Sequence, residues 1–258
     1  MIFIKKNKKK KQKKRKMYNQ NLFTSGSRTY TNGKYVGEFY DNIRHGKGVF
    51  YFNTGDKYDG DWFNGAPSGK GSFIYKSGSR YDGDWLNGNM SGRGIFYSKT
   101  GDKYDGEWKN DLKEGKGIMY YEGGDKYDGE WKDGFINGKG TFYYVSGSKY
   151  DGYWKKGKKD GKGIFYYNDG GVYNGDWKND KRDGKGIMLF NNGEKYDGEW
   201  KSDLMNGRGI YYFLNGDQFD GIWIYGRADN CLKENERNEG NEYGSDFWSM
   251  EQFGNMMD

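Results

Sequence analysis

Along most of the chain apolar and polar residues alternate with a period of two, and the alternation restarts every 23 residues. In Tyr104-Asp105-Gly106-Glu107-Trp108-Lys109, the Tyr, Gly and Trp fall on one side of an extended segment and the Asp, Glu and Lys on the other. This predicts a half-buried strand. Turn formers come next, as in Asn64-Gly65, Asn87-Gly88 and Asp133-Gly134, residues that tolerate positive φ in hairpin loops. A second alternating run follows, for example Gly161-Lys162-Gly163-Ile164-Phe165-Tyr166-Tyr167, and it closes at another regular glycine such as Gly55, Gly78 or Gly170. Each period therefore predicts a β-hairpin, and consecutive hairpins predict an antiparallel meander.

The register is unbroken. Tyrosine opens the units at Tyr35, Tyr58, Tyr81, Tyr104, Tyr127, Tyr150, Tyr173 and Tyr196, and Phe219 opens a ninth unit that is not completed. Two residues later stands glycine, and four residues later stands Phe39 and then tryptophan from Trp62 to Trp223. A Gly-x-Gly follows in each complete unit, from Gly46 and Gly48 to Gly207 and Gly209. A fixed period of this length means a repeat architecture, in which stacked neighbours supply the core that no unit has alone.

Composition on its own leans the other way. A mean hydropathy of -1.20 with 31% charged residues is the balance of a chain with too little apolar surface to offset its ordering entropy. The 19% aromatic content, and 45 glycines standing in register against a single proline, turn that reading back towards order. The expected fold class is all-β, an elongated single-layer antiparallel meander of about eight hairpins plus a terminal half repeat. With a four-residue loop inside each hairpin, Trp would face the first glycine of the following Gly-x-Gly, and the glycine after Tyr would face the second. Tyr and Trp rings would then lie over a row of paired glycines. The same register would set Glu38 opposite Lys47, Asp61 opposite Lys70, Asp84 opposite Arg93 and Asp176 opposite Lys185.

The Tyr-x-Gly-x-Trp and Gly-x-Gly signature on a 23-residue period resembles the MORN repeat family, over residues 35 to about 226. The family often carries histidine just before Gly-x-Gly, and here only His45 does, with Ser68, Ser91, Glu114, Asn137, Asp160, Asp183 and Asn206 in the other units. The resemblance implies a β-hairpin scaffold. Kinship with the MORN proteins of radial spoke heads would imply a rigid spacer in a cytoskeletal or ciliary, axonemal assembly. Kinship with the MORN modules of junctional or phosphoinositide-kinase proteins would imply a membrane tether.

Catalytic chemistry has little to draw on. Nucleophilic triads need an imidazole near a nucleophile, and the only histidine sits in a repeat column while the only cysteine, Cys231, lies near the C-terminus. Structural zinc wants about four Cys or His ligands, and the repeated Asp-Gly-Asp lacks the spacing of an EF-hand loop. The chain is expected to be no enzyme and to hold no cofactor or metal. One cysteine, and no export signal in Met1–Ile4, point to a reducing intracellular setting: cytoplasm, cytoskeleton or cilium axoneme.

The expected organisation is a basic arm over 1–16, a cap or partial hairpin over 17–34, the repeat array over 35–226, and a linker with a short amphipathic tail over 227–258. Within the arm Lys8, Lys9, Lys10, Lys11, Lys13, Lys14, Arg15 and Lys16 form an anionic-surface candidate for lipid, an acidic protein or an import receptor. Nucleic acid is disfavoured because no aromatic residue interleaves with those lysines. In the tail Phe247, Trp248 and Phe253 need burial, either by folding back as a cap or on a partner. Inside the array the residue after Trp is lysine in five units but apolar at Tyr40, Phe63, Leu86 and Ile224. The first three predict an apolar stripe, and Ile222 with Ile224 makes both faces of the last strand apolar. These are the candidate contacts with partner proteins or with a second copy in a homodimer, since exposed apolar patches mark interaction sites.

Overall fold

A computed structural model describes residues 22–229, and the chain divides into two compact units, Met1–Ile136 and Asn137–Asp258. Among the described residues there are nineteen strands and no helix. In the first unit β1 (Phe23–Tyr30), β2 (Gly33–Tyr40), β3 (Ile43–Phe52), β4 (Lys57–Phe63) and β5 (Ala66–Ile74) are followed by β6 (Arg80–Leu86), β7 (Asn89–Tyr97), β8 (Lys103–Lys109), β9 (Leu112–Tyr120) and β10 (Lys126–Lys132). Each pairs antiparallel with the next. β11 (Phe135–Tyr143) begins at the unit boundary. The second unit continues with β12 (Lys149–Lys155), β13 (Lys158–Tyr166), β14 (Val172–Lys178) and β15 (Lys181–Leu189), then β16 (Lys195–Lys201), β17 (Leu204–Tyr212), β18 (Gln218–Ile224) and β19 (Arg227–Asp229). These too pair in order. The expected antiparallel hairpin meander is thus observed in each unit, and the ninth hairpin is reduced to β18 and its three-residue return strand.

The turn inside each hairpin has two residues, not four. Asn64 and Gly65 have φ of 47° and 87°, and Phe63 pairs directly with Ala66. Two successive positive φ angles make the tight turn whose twist matches that of the flanking strands. The shorter turn displaces the expected register. Gly60 pairs with Gly71 as anticipated, but Trp62 pairs with Pro67, so Ser68, Gly69 and Lys70 all stand against Asp61 in a bulge. Gly69 takes φ 114° there, where a Cβ would press on the Asp61 side chain. The Asp61 carboxylate accepts the Lys70 backbone N–H at 2.9 Å, closing the ladder across the extra residues.

Register across adjacent repeats corrects the expected charge pairs. Trp62 faces Gly46, and Asp61 faces Lys47, both of the preceding hairpin. The ammonium groups follow, with Lys47 paired to Asp61, Lys70 to Asp84 and Lys162 to Asp176. Each acid thus joins two hairpins, taking a backbone N–H from its own and a lysine from the one before. Burial pushes the Asp61 carboxyl up, but hydrogen bonds from Lys47 and the Lys70 N–H outweigh that and hold it below its ordinary value.

The core is a column on one face. Tyr58 is fully buried, its ring lies across the Gly60–Gly71 pair, and its hydroxyl donates to the Asp61 carbonyl at 2.9 Å. Trp62 stands edge-on between Tyr35 and Tyr58, at centroid distances of 5.1 and 5.2 Å, and its Nε1–H donates to the Gly48 carbonyl at 2.9 Å. The alternation repeats through Trp85, Tyr81, Trp108 and Tyr104 in the first unit and through Tyr150, Trp177, Tyr173 and Trp200 in the second. Edge-to-face pairs add about 0.5–1.5 kcal/mol each beyond area burial, so the stack binds neighbouring hairpins without a second layer.

Burial pushes the Tyr35 hydroxyl up to about 12, and those of Tyr58, Tyr104 and Tyr173 higher still. A tyrosine whose folded value lies above its unfolded value of about 10 contributes full stability below that pH and loses it as pH rises through the folded value. Alkaline titration should therefore show the column tyrosines ionising together with loss of sheet signal in circular dichroism. Ionisation of these tyrosines well before unfolding would contradict the packing described.

Candidate interaction surfaces

The face opposite the aromatic column carries the residues that follow each Trp, beside the tight turns. Phe63 is 54% and Leu86 57% exposed, as the stripe requires. Tyr40 is half-buried, because Phe23 packs on it at 4.8 Å and His45 at 5.7 Å. His45 bridges to Phe63 at 5.0 Å, and its Nδ1 is buried with no hydrogen-bond partner. The two-residue turn adds positions that the four-residue loop had hidden. Ile43 stands opposite Tyr40, Ala66 opposite Phe63 and Leu112 opposite Lys109, and both Ile43 and Leu112 are exposed. The apolar edge of the first unit therefore runs from Phe23 past Leu86 and Leu112 to Phe135. The sequence signal was the residue just after each turn.

The same edge of the second unit has the opposite chemistry. Lys155 faces Lys158 and Lys178 faces Lys181 directly across their strand pairs. Like charges so placed destabilise a sheet, and none of these four is ion-paired among the described residues. Lys156, in the turn between Lys155 and Lys158, adds a further positive charge. Further along, Lys201 is held by Asp183 at 3.3 Å. In β18 Ile222 occupies the acid position, half-buried between Arg208 and Asp229, and Ile224 is exposed opposite Arg227. Tyr153 also occupies an acid position and is 50% exposed, a departure that the charge pattern contained and the sequence reading passed over.

On the aromatic face, selected repeats lay a cation over the indole. Arg44 lies 4.6 Å from the Trp62 ring, Lys113 4.6 Å from Trp131, Lys159 4.5 Å from Trp177 and Arg182 4.3 Å from Trp200. Burial pushes the Lys113 and Lys159 ammonium groups below their ordinary values. These cations cover the core rather than presenting it. The remaining candidates, Lys8 to Lys16 in the arm and Phe247, Trp248 and Phe253 in the tail, lie outside the described residues.

A run of identical hairpins, each completing its neighbour's aromatic core and leaving its edges to vary, defines a β-hairpin repeat scaffold. The MORN repeat family model matches residues 35–57, 58–80, 81–103, 104–126, 127–149, 150–172, 173–195 and 196–218. The chain belongs to the MORN repeat family, whose members are scaffolds that bind proteins or lipids and are typically non-enzymatic. No curated protein matches the chain. Among solved structures it is similar to the wild-type TCP10 domain of Danio rerio CPAP in complex with a peptide of Danio rerio STIL, at 10% identity and TM-score 0.42, covering 70% of this chain and 81% of that one. It is also similar to the SAS-4 (dCPAP) TCP domain in complex with a proline-rich motif of Ana2 (dSTIL) of Drosophila melanogaster, at 16% identity and TM-score 0.37, covering 59% and 83%.

Proposed function

We propose that this chain is a non-enzymatic scaffold or spacer that holds other proteins together in an intracellular cytoskeletal or ciliary assembly of the radial-spoke kind. The observation that carries the reading is the exposed apolar edge of the first unit, where Ile43, Phe63, Leu86 and Leu112 stand out to solvent beside the tight turns. Folding the hairpin does not need them, because lysine serves at the Phe63 position in five other units. Phe63→Asp combined with Leu86→Asp should leave the sheet folded and remove partners that co-purify from the native source. An unchanged set of partners would count against the proposal. Sedimentation of the purified chain distinguishes a second copy on that edge, since a homodimer would then dissociate in the double variant.

The opposed lysines of the second unit support a second reading, a peripheral tether on anionic phospholipid, in which the arm from Lys8 to Lys16 supplies the same charge. Co-sedimentation with phosphatidylserine vesicles should then weaken both on removal of residues 1–16 and in Lys155→Glu with Lys178→Glu. Equal binding to neutral vesicles, or no binding, would leave the protein scaffold alone.

A further inference from the structure

We propose that a recess at Ser98, on the aromatic face of the first unit, is a docking pocket for one tyrosine or tryptophan side chain of a partner polypeptide. The argument begins with a column of the repeat that holds a ring at every other position: Phe52, Tyr75 and Tyr121 in the first unit, and Tyr144, Tyr167, Phe190 and Phe213 in the second. Just before the gap the ring packs on the aromatic residue two places earlier, Phe52 on Phe50 and Tyr75 on Phe73, each at 4.6 Å. It also reaches the next repeat, Phe52 meeting Phe73 at 5.6 Å and Tyr75 meeting Phe96 at 6.1 Å. At Ser98 the relay stops, and Met119 stands where the next ring would be.

The gap is an open recess of about 380 Å³, walled by Phe96, Trp108, Tyr104, Met90 and Met119. That volume lies near the lower end of small-molecule pockets and suffices for one indole or phenol ring. Two of the walls are methionines, whose flexible thioethers adapt to an incoming ring. Ser98 does not compete for the space by hydrogen bonding into it, since its hydroxyl is paired with that of Thr100 at 2.7 Å. Neighbouring repeats fill the corresponding position with the chain's own ring, so the recess is already shaped for an aromatic group.

Two carboxylates narrow the choice of ring. Asp111 uses Oδ1 for the Met90 N–H at 2.7 Å, and Asp102 uses Oδ1 for the Glu122 N–H at 2.9 Å. Both belong to the lining, and among the described residues the second oxygen of Asp111 takes no hydrogen bond. A ring carrying a donor, phenol hydroxyl or indole N–H, is therefore favoured over phenylalanine. Lys113, also on the lining, is committed to the Trp131 and Tyr104 rings and donates to the Met119 Sδ at 3.7 Å. The pocket needs the scaffold reading only for the existence of a partner. It faces away from the Phe63–Leu86 edge, so the two can fail separately.

The test uses the full chain with labelled methionine methyl groups, titrated with p-cresol, indole and toluene and followed by NMR. The Met90 and Met119 methyls should shift saturably with p-cresol and indole, and at least tenfold more weakly with toluene. Ser98→Tyr and Ser98→Phe, which supply the ring their neighbours have, should abolish the shifts and raise the melting temperature. Phe63→Asp with Leu86→Asp should leave them unchanged. Absence of saturable shifts in the wild type, which would also be the result if another segment of the chain filled the recess, overturns the proposal. So does equal binding by both Ser98 variants.

Discussion

Gly71→Ala is expected to destabilise the first unit by about 3 kcal/mol, the upper end of the ordinary overpacking range. A Cβ at Gly71 would overlap Oη, Cζ and Cε2 of Tyr58, the last at 2.7 Å. The ring cannot retreat. Tyr58 is fully buried, its hydroxyl is tied to the Asp61 carbonyl, and Trp62 and Trp85 stand against it at 5.2 and 5.1 Å. The φ of Gly71 is not positive, so the cost is steric and not conformational. Gly26 supplies the control, since a Cβ there meets nothing within 4 Å and its φ is likewise not positive. Gly26→Ala should be neutral or stabilising by about 0.5–1 kcal/mol, through lower chain entropy when unfolded. Urea unfolding followed by tryptophan fluorescence measures both. Equal stabilities of the two variants would mean that the glycine pair is not what seats the tyrosine.

The contrast between these two glycines shows which part of the fold the sequence carries openly. The glycines after Tyr and at the end of Gly-x-Gly are legible because a strand interior tolerates glycine poorly unless something lies over it, and the regular tyrosine supplies the ring that does. Their pairing, Gly60 with Gly71, follows from counting. The first glycine of Gly-x-Gly is not legible in the same way. A four-residue loop and a two-residue turn with a bulge contain the same residues, and they differ only in the positive φ of Gly69 and the capture of the Lys70 N–H by Asp61. A four-residue loop would set Asp61 and Asp176 against the lysine of their own hairpin, where the shorter turn sets them against Lys47 and Lys162 of the one before and brings Ile43 and Leu112 to the exposed edge. Asn64-Gly65 was the available signal, because that dipeptide favours the two-residue turn.

The candidate sites were legible where the period fails and invisible where the failure is quiet. Phe63 and Leu86 replace lysine by large apolar groups and stand out on any alignment of the units. Ser98 replaces an aromatic ring by a small polar residue close to a loop, where serine is unremarkable. Its meaning depends on the rings of Phe96 and Tyr75, which only the fold brings alongside. The opposed lysines required the turn length before they could be recognised as pairs. A repeat protein states its core redundantly and each departure from it once, so the departures need the structure to be interpreted.

Trp177→Ala should cost about 4 kcal/mol and split the unfolding of the second unit into two steps. Truncation of a buried tryptophan removes about 3–5 kcal/mol, and three further losses fall on this site. Tyr150 and Tyr173 lose their shared edge-to-face partner at 5.3 and 5.1 Å, the Gly163 carbonyl loses the Nε1–H at 3.1 Å, and Lys159 loses the ring beneath its ammonium. Because each hairpin touches only its neighbours, stability is a sum of unit and interface contributions. The interface between the hairpins opened by Tyr150 and Tyr173 is made on this face mainly by Trp177. Its removal weakens the coupling, so the hairpins on either side should melt at different urea concentrations. Trp177→Phe retains the ring contacts but leaves the Gly163 carbonyl unpaired, a loss of about 1–2 kcal/mol, and should keep a single transition. The chain already accepts that exchange at Phe39, which meets Tyr35 at 5.0 Å in the same geometry. A single unfolding transition in Trp177→Ala with less than about 2 kcal/mol lost would show that the strand ladder, and not the aromatic column, carries cooperativity from hairpin to hairpin.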